Sequence, residues 1–477
     1  MIPEALVDIR DGVVLKTADG NEYWGHLRRL NRFAATFDVF GASSTLRVSE
    51  AIPTFTILLQ GRKAYEGRAV LQRFIEAEAT WTCEAELEEA SWVDVLWDHQ
   101  TLLNGTLTDG FSRFLRHWQE AYQVEPSYKS VVADMFTFFS SLKLWLDQID
   151  MTIRSHKGGD SRGLQVAVAE KAAKNVLPCM DELFARFESA CARIPRERLG
   201  GHRSYMRRQL HPLTMCSPFA YRTFHKPLGY AGDYEMVNMI VRNGWEGNSL
   251  YAMVVNKWFL VQPPAEAHRN RIDFLARRLV EEAVRIAPES RRLKVLNLAC
   301  GPAQELQKLL ISSALSDVLD VLAVDFDAET LGYLQKRLKE LMWRHNRSTS
   351  ITLKQTSVFH LLKESERGKN TLPGAPFDMA YCAGLFDYLS DAVCRSLLRY
   401  MYEQLRPGGL LLATNVHPCN PLRNGMEHLL DWHLIHRTGE EMAALARELP
   451  PTTETRVWAE STGVNVFLEI RKPAHGS

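Results

Sequence analysis

The chain has 477 residues, which is enough for about two to four domains. Hydrophobic residues make up 46% of it and charged residues 24%, a balance typical of proteins with substantial buried cores. The 57 basic residues equal the 57 acidic ones, so the net charge gives no electrostatic reason to expect a nucleic-acid partner.

The start of the chain shows no basic and apolar leader pattern, and no apolar run reaches the roughly 18 residues of a membrane-spanning helix. The eight cysteines are scattered singly, without the paired spacing of a metal site. We therefore expect a cytoplasmic protein with reduced thiols, no transmembrane segment and no metal.

Residues 1–92 are predicted to be β-rich. Turn signals at Asp19-Gly20, Gly41 and Gly61-Arg62 separate short apolar runs, which lie at Gly12–Lys16, Thr36–Phe40 and Thr54–Leu59. This pattern indicates several antiparallel strands.

Within this segment Arg28 and Arg32 have R-x-x-x-R spacing and are followed by LLQGRKAYEGRAVL. The segment resembles a PilZ-type β-barrel, a family in which an arginine motif and a later D/N-x-S-x-x-G motif bind cyclic di-GMP. Because the second motif does not follow, we expect no binding of cyclic di-GMP, and a barrel that has lost its ligand or serves as an interaction module.

Residues 93–200 are predicted to be a helical region. Apolar side chains recur at helical spacing in two stripes, which comprise Phe111, Phe114, Leu115, Trp118 and Tyr122, then Val132, Met135, Phe136, Phe139, Leu142, Leu146 and Ile149. These stripes predict the core of a helix bundle. A loop is expected at Lys157–Ser161, and helices are expected to resume from Gln165 to Phe187.

Residues 201–287 combine aromatic, Gly, Pro, His and Arg residues with little periodicity up to Gly232, a composition that favours a helical lid over a bound ligand. Tyr230, Asp233 and Tyr234 are its candidate ligand contacts. A structural alternative for Asp233 is to cap a helix that begins near Glu235. Pro263-Pro264 then opens another helix.

Residues 288–477 begin with the most informative stretch, VLNLACGPAQEL. An apolar strand at Val295–Leu298, a turn of small residues at Ala299–Ala303 and a helix from Gln304 form the first unit of a nucleotide-binding α/β fold. The small residues allow the backbone to approach a ligand closely.

Further strands follow in the order of a doubly wound sheet. The second ends at Asp325, whose carboxylate can accept hydrogen bonds from ribose hydroxyls; capping of the next helix is the alternative, although Asp327 can do this instead. The third ends at Ser357 and Val358, the fourth crosses Asp378–Phe386, and the fifth follows the Pro407-Gly408-Gly409 turn.

This order of motifs resembles the class I S-adenosylmethionine-dependent methyltransferases, a Rossmann-like fold, over roughly residues 290–477. The resemblance implies S-adenosylmethionine as cofactor. It places one group of residues around the methionine end of the cofactor, namely Asn297, Ala299, Cys300, Gly301 and Pro302. It places Asp325 at the ribose. It assigns contacts with the adenine and in the adjoining loops to Phe326, Ser357, Val358, Ala383 and Phe386. Tyr230 and Asp233 are expected to close over the cofactor from the lid.

Two positions depart from the family pattern. Asn297 stands where an aspartate is common and brings no negative charge, and Ser357 stands where an acidic residue usually contacts the adenine. A dehydrogenase is the competing interpretation, but CGPAQEL lacks the full G-x-G-x-x-G and places Glu305 where a pyrophosphate would lie.

A narrower resemblance covers about residues 200–477. KPLGYAGDYEMVNMI, CAGLFDYLSD and HPCNP…MEHLLDWHLIHR are similar to bacterial methyltransferases that make the methyl ester of 3-hydroxypalmitate. It implies a small-molecule or lipidic acceptor, with O-methylation of a hydroxy fatty acid carboxylate. The alternatives are a protein-modifying methyltransferase and a regulator that binds S-adenosylmethionine, either one steered by the N-terminal barrel.

Acceptor-side candidates follow the fourth and fifth strands, where doubly wound sheets bind ligands. Tyr388 and His417 are the candidate catalytic residues. Polar and aromatic neighbours complete the set: Phe386, Asp387, Asn415, and on the next helix Glu427, Asp431, Trp432 and His436. His428, His433 and His436 are expected to be surface histidines. A metal site formed by them is not expected, because their i, i+5, i+8 spacing does not place them on one helical face.

Overall fold

The computed structural model describes residues 12–18, 20–40, 46–59, 62–77, 80–88, 91–92, 115, 123–155, 160–368, 372–450 and 452–474. The chain divides into two compact units, and each is described by itself. Unit 1 comprises Met1–Ala231, Gly244–Phe259 and Pro421–His433, and unit 2 comprises Gly232–Asn243, Leu260–Asn420 and Leu434–Ser477.

The strands are β1 (Gly12–Lys16), β2 (Glu22–Leu30), β3 (Ala34–Phe40), β4 (Ala51–Leu59), β5 (Arg62–Ala77), β6 (Thr80–Leu87), β7 (Leu293–Leu298), β8 (Leu319–Asp325), β9 (Ser350–Gln355), β10 (Phe377–Cys382), β11 (Leu405–Val416), β12 (Glu454–Ala459) and β13 (Asn465–Arg471).

The helices are α1 (Pro126–Ser155), α2 (Ser161–Cys191), α3 (Leu199–Thr214), α4 (Pro218–His225), α5 (Tyr234–Arg242), α6 (Leu250–Val261), α7 (Pro263–Ile286), α8 (Gln304–Ser312), α9 (Ala328–His345), α10 (Val358–Glu366), α11 (Asp391–Glu403), α12 (Arg423–Leu429) and α13 (Gly439–Leu445).

Unit 1 begins with a closed antiparallel barrel in the strand order β1-β2-β3-β6-β5-β4. Alternate residues point inward, as the two-residue period of a strand requires, and form a core that includes Val13, Leu15, Phe37, Phe55 and Leu71. Arg28 on β2 donates to Asp38 on β3 across 2.5 Å. The predicted N-terminal barrel is confirmed.

The helices of unit 1 follow the predicted stripe only in part. Tyr128, Val132, Met135, Phe139 and Leu146 of α1 are buried. In contrast, Phe136 is 42% exposed and Leu115 52% exposed, so their prediction as core residues is wrong. Both residues face the solvent, away from the core. The predictions for Phe111, Phe114, Trp118 and Tyr122 lie outside the described residues.

Unit 2 is built on a seven-stranded sheet in the order β12-β13-β11-β10-β7-β8-β9. Neighbouring strands from β11 through β9 run parallel, whereas β13 is antiparallel to both β11 and β12. Apolar cores cover both faces, as a parallel sheet flanked by helices requires. The predicted Rossmann-like architecture is confirmed.

Several strand boundaries differ from the prediction. The fifth strand, β11, begins at Leu405 and includes Pro407-Gly408-Gly409, which were predicted as a turn before it. The third strand of this sheet, β9, ends at Gln355, because the Ser357 hydroxyl accepts from the N–H of His360 (3.1 Å) and thereby starts α10. The fourth, β10, ends at Cys382 and is followed by Gly384, whose φ of +93° turns the chain out of the sheet. Of the described helices, none combines the length and the apolar character that crossing a bilayer needs.

Candidate functional site

The strand order of unit 2 defines where a ligand binds. From β7 the chain continues outward to β8 and β9, and then returns to place β10 on the other side of β7. In open parallel sheets the crevice at such a switch point, beyond the carboxyl ends of the strands, is the ligand-binding position. The loops after β7 and β10 border this crevice.

The loop after β7 has an unusual backbone. Ala299, Gly301 and Ala303 all have positive φ, at 52°, 52° and 45°. Left-handed alanines are costly, so neighbouring contacts must hold them, including the hydrogen bond from Cys300 N–H to the Val324 carbonyl (3.0 Å). A Cβ at Gly301 would meet nothing within 4 Å, so open space lies beside this loop.

Asp325, the last residue of β8, is linked to this loop. Its Oδ2 accepts from the N–H of Gly301 (2.9 Å), and its Oδ1 accepts from the N–H of Asp327 (3.1 Å). Asp327 caps α9 by accepting from the N–H of Thr330 (2.7 Å). The capping alternative therefore applies to Asp327, whereas the carboxylate of Asp325 connects the end of β8 to the loop after β7.

The positions assigned to the adenine follow β8 and β9. Phe326 is half-buried, and its carbonyl accepts from the Gln355 side chain (3.2 Å). The Ser357 hydroxyl is occupied as the cap of α10. Val358 is the first residue of that helix, where a backbone N–H has no intrahelical partner.

Glu305 lies in the first turn of α8 and is buried. Its Oε1 accepts from Nδ2 of Asn297 (3.0 Å) and from the hydroxyl of Tyr381 (2.8 Å). Burial raises the pKa of Glu305. The carboxylate thus stands directly beside the position where the family commonly has an aspartate.

Arg271 on α7 was not singled out from the sequence. The residue is only 7% exposed, and its guanidinium is within hydrogen-bond distance of the two ring nitrogens of His268 (3.0 and 3.1 Å). A Cβ at Gly384, in the loop after β10, would lie 3.0 Å from Nη1 of Arg271. This close approach places the guanidinium against the backbone that borders the crevice.

The loop after β10 also carries Asp387, which is buried in a short 3-10 turn. Its Oδ1 accepts from the N–H of Val416 (2.6 Å), and burial raises its pKa to about 6. Tyr388 and Ala383 are partly exposed, whereas the Phe386 side chain is fully buried in a core. Phe386 can therefore contact a ligand only through its backbone.

Asn415 and His417, at the end of β11, are held in place by local contacts. Asn415 Oδ1 accepts from Arg437 (2.7 Å), and its Nδ2 donates to the Ile435 carbonyl (2.8 Å). Nδ1 of His417 accepts from the N–H of Cys419 (3.1 Å). In the neutral ring the proton is then on Nε2, which suits a donor that positions an acceptor better than a general base.

The predicted lid segment is divided between the units. Tyr230 belongs to unit 1, and Asp233 to unit 2, where it caps α5 by accepting from the N–H of Met236 (2.9 Å). Helix α5 contacts the first turns of two cofactor-side helices, because Tyr234 donates to Glu329 (2.9 Å) and Gln304 donates to Asn238 (2.6 Å). This segment therefore borders the sheet edge that carries the loops.

The assignments for residues 427–436 need correction. Helix α12 ends at Leu429, because Asp431 adopts a positive φ of 53°, so Asp431, Trp432 and His436 do not lie on it. His428 and His433 are buried, at 0% and 4% exposure, and are not surface residues. Tyr128 hydrogen-bonds His428 (2.9 Å), and Asp431 contacts His433 (3.1 Å), which explains how these rings are buried.

Comparison with known proteins identifies the enzyme class. Residues 295–409 match the family model described as a methyltransferase domain, a range that contains the loops after β7, β8, β9 and β10. The chain carries a methyltransferase domain. This confirms the predicted enzyme class and, with it, the S-adenosylmethionine cofactor that the class implies.

Solved structures with similarity to this chain include a possible exported protein from Bordetella parapertussis, with 20% identity, a TM-score of 0.41, and coverage of 54% of this chain and 86% of that one. Magnesium protoporphyrin IX methyltransferase from Synechocystis PCC 6803, solved with bound S-adenosylmethionine, shows 12% identity, a TM-score of 0.30 and coverage of 44% and 82%. An N-methyltransferase from Bradyrhizobium japonicum shows 15% identity, a TM-score of 0.30 and coverage of 50% and 98%. None of the curated proteins matches the chain.

Proposed function

We propose that the protein transfers a methyl group from S-adenosylmethionine to a small-molecule or lipidic acceptor, with the carboxylate of a hydroxy fatty acid as the proposed acceptor group. One observation carries this proposal, namely that the residues matched by the family model include the loops around the crevice. The residues that match a methyltransferase domain, 295–409, contain the loops that border the switch-point crevice of the sheet.

The residues at the crevice fit the cofactor. In this proposal the methionine end lies along the loop from Ala299 to Pro302, where space is open beside Gly301. The carboxylate of Asp325, at the end of β8, would accept hydrogen bonds from the ribose hydroxyls. The N–H of Val358, at the start of α10, and Phe326 would hold the adenine.

When bound, S-adenosylmethionine supplies an electrophilic methyl group on a sulfonium. Because the leaving group is a neutral thioether, the protein mainly has to align the acceptor in a site without water. A carboxylate acceptor is already ionised and needs no base. His417, with a proton on Nε2, and Tyr388 then act as donors that orient the acceptor oxygen.

The barrel and the lid complete the proposal. We assign residues 1–92 to a PilZ-like barrel that acts as an interaction module, 93–200 to a helical region, 201–287 to a lid and 288–477 to the methyltransferase domain. A lid rich in aromatic side chains suits a small or lipidic acceptor, since a protein substrate needs a more open site.

The cofactor site is tested by calorimetry with S-adenosylmethionine. Replacement of Asp325 by Ala is expected to weaken binding by about 1–3 kcal/mol, through the loss of hydrogen bonds to the ribose. Asp320→Ala is the matched control, because Asp320 lies near the opposite end of the same strand and bonds Ser350 (2.8 Å). Unchanged binding by the Asp325 variant would remove this residue from the site.

The acceptor class is tested by supplying labelled S-adenosylmethionine to a cell extract with the purified protein. We expect label in the lipid or small-molecule fraction, released by mild alkali as a methyl ester would be. Label in the protein fraction would instead identify a protein-modifying enzyme. Cofactor binding without any incorporation would favour the regulator.

A further inference from the structure

Arg437 is a buried arginine with a single acidic partner. The residue is 2% exposed, and across the described part of the chain its one ion pair is with Asp391 (2.8 Å), whose side chain is 61% exposed. Burial of a charged group is unfavourable unless hydrogen bonds satisfy it. The remaining donors of this guanidinium are therefore expected to bind neutral oxygens of the domain.

Three neutral oxygens accept from the guanidinium. Nη1 donates to the carbonyl of Phe386 (2.8 Å) and to Oδ1 of Asn415 (2.7 Å), and Nη2 donates to the carbonyl of Leu389 (2.6 Å). The two carbonyls lie on either side of Tyr388 in the loop after β10. Because a guanidinium presents its N–H groups in a fixed planar fork, the three oxygens are held at fixed separations.

The backbone around Arg437 joins the same two parts of the domain. The Arg437 N–H donates to the carbonyl of Val416 (3.1 Å), and the Ile435 N–H donates to the carbonyl of Asp387 (2.7 Å). The segment 434–437 has no regular secondary structure and is bonded to both the loop after β10 and the end of β11. It therefore connects the two places that carry the candidate acceptor-side residues.

The contacts of Arg437 are confined to the acceptor side of the crevice. Among the residues that the structure describes, its side chain donates to none in the loop after β7 and not to Asp325 at the end of β8, which are assigned to the cofactor. Arg437 and His417 both lie outside the range 295–409 that matches a methyltransferase domain. A segment that the family model does not include thus fixes part of the acceptor side.

We propose that Arg437 is a positioning residue for the methyl acceptor. It holds the loop that carries Tyr388 against the strand end that carries His417, and thereby sets the separation of the two side chains that orient the acceptor oxygen. This inference rests on the proposed function, because it requires methyl transfer at this crevice. Changes at Arg437 are then expected to slow transfer while leaving cofactor binding intact.

The test measures cofactor binding and methyl transfer separately on the full chain. Calorimetry gives the affinity for S-adenosylhomocysteine, the demethylated product of the cofactor. Labelled S-adenosylmethionine at saturation, supplied with a cellular lipid extract, gives the rate of transfer. Arg437→Met is expected to lower this rate by roughly tenfold to a hundredfold, as a displacement of about 1 Å in a positioning group does. The affinity for S-adenosylhomocysteine is expected to stay within about twofold of the unmodified protein.

Two further variants sharpen the result. Arg437→Lys keeps the charge but not the planar fork, and we expect its transfer rate to lie between those of Arg437→Met and the unmodified protein. Arg447→Met is the matched control, since Arg447 is an exposed arginine of the same unit, and it should leave the rate unchanged. If Arg437→Met does not fold, Arg437→Lys decides alone, and an undiminished rate would then contradict the inference.

Amide hydrogen exchange shows where in the domain the substitution acts. In Arg437→Met we expect faster exchange in residues 384–389 and 415–417, and unchanged exchange in residues 299–303 of the cofactor loop. An equal increase in both regions would mean that Arg437 stabilises the whole domain and has no particular role at the acceptor side.

The outcomes separate this inference from the proposed function. If the Arg437 variants transfer methyl groups at the rate of the unmodified protein, or lose affinity for S-adenosylhomocysteine in proportion to the rate, the inference is overturned and the proposed function stands. If the unmodified protein transfers no label to the lipid extract, the proposed function fails, and the inference fails with it.

Discussion

The two units differ in how one buried group of charged side chains in each is compensated. In unit 1, Glu86 of the barrel accepts from Arg203 (3.0 Å) and Arg207 (2.6 Å). Asp431 pairs with Arg207 (3.3 Å) and Lys226 (3.5 Å). Each charge therefore faces an opposite charge within the same unit.

In unit 2, Arg271 and Asp387 are buried and interact electrostatically with each other, but neither forms an ion pair with any of the described residues. Other buried charges of this unit are paired, as Glu282 is with Arg471 (2.6 Å). Arg271 lies against Gly384, in the loop after β10 that borders the crevice, and Asp387 lies three residues further along the chain. Buried charges that are paired hold a fold together, whereas buried charges left unpaired in a crevice indicate a ligand site.

The largest effect is expected from breaking the paired network. Arg207→Ala leaves Glu86 and Asp431 with an unbalanced buried charge, and we expect it to lower the free energy of unfolding by about 3–5 kcal/mol in urea denaturation. Arg208→Ala, at the next position of the same helix, removes an exposed side chain and is expected to stay within about 0.5 kcal/mol of the unmodified protein. Equal effects of the two changes would show that the network does not stabilise unit 1.

The unpaired acid of unit 2 is expected to give a smaller and pH-dependent effect. The pKa of Asp387 is raised from 3.8 to about 6 in the folded state, so its contribution to stability is fully present below about pH 4 and falls as the pH rises to 6. Asp387→Asn does not titrate, and we expect it to be more stable than the unmodified protein by roughly 2–3 kcal/mol above pH 6. The two proteins should have equal stability near pH 4, which serves as the control. A constant difference across this range would contradict the shift.

The sequence predicted the elements that depend on local patterns. The apolar run before Ala299 became β7, the position of Asp325 at the end of β8 is as expected, and Pro263 opens α7. These features follow from strand periodicity and helix capping, which neighbouring residues alone determine.

The predictions were wrong or incomplete where distant parts of the chain meet. His433 was expected at the surface, but its N–H bonds the Ser49 hydroxyl (2.6 Å) from a strand-end loop far away in sequence. Arg271 is one of several arginines on α7, and its burial and its contact with Gly384 distinguish it from exposed Arg277. Side-chain partners of this kind have no local signal.

The smallest effect concerns α5, the helix that we propose as part of the lid. Asp233→Ala removes the cap of α5 and is expected to cost about 1 kcal/mol of stability. Thr438→Ala is the matched control, because Thr438 caps α13 of the same unit by accepting from Glu441 N–H (3.2 Å), and it should cost a similar amount. The two variants differ in what they do to the cofactor. Because α5 contacts the first turns of α8 and α9, only Asp233→Ala should speed dissociation of S-adenosylmethionine, by a few-fold, in stopped-flow measurements. Equal dissociation rates would make α5 a structural helix whose cap serves stability alone.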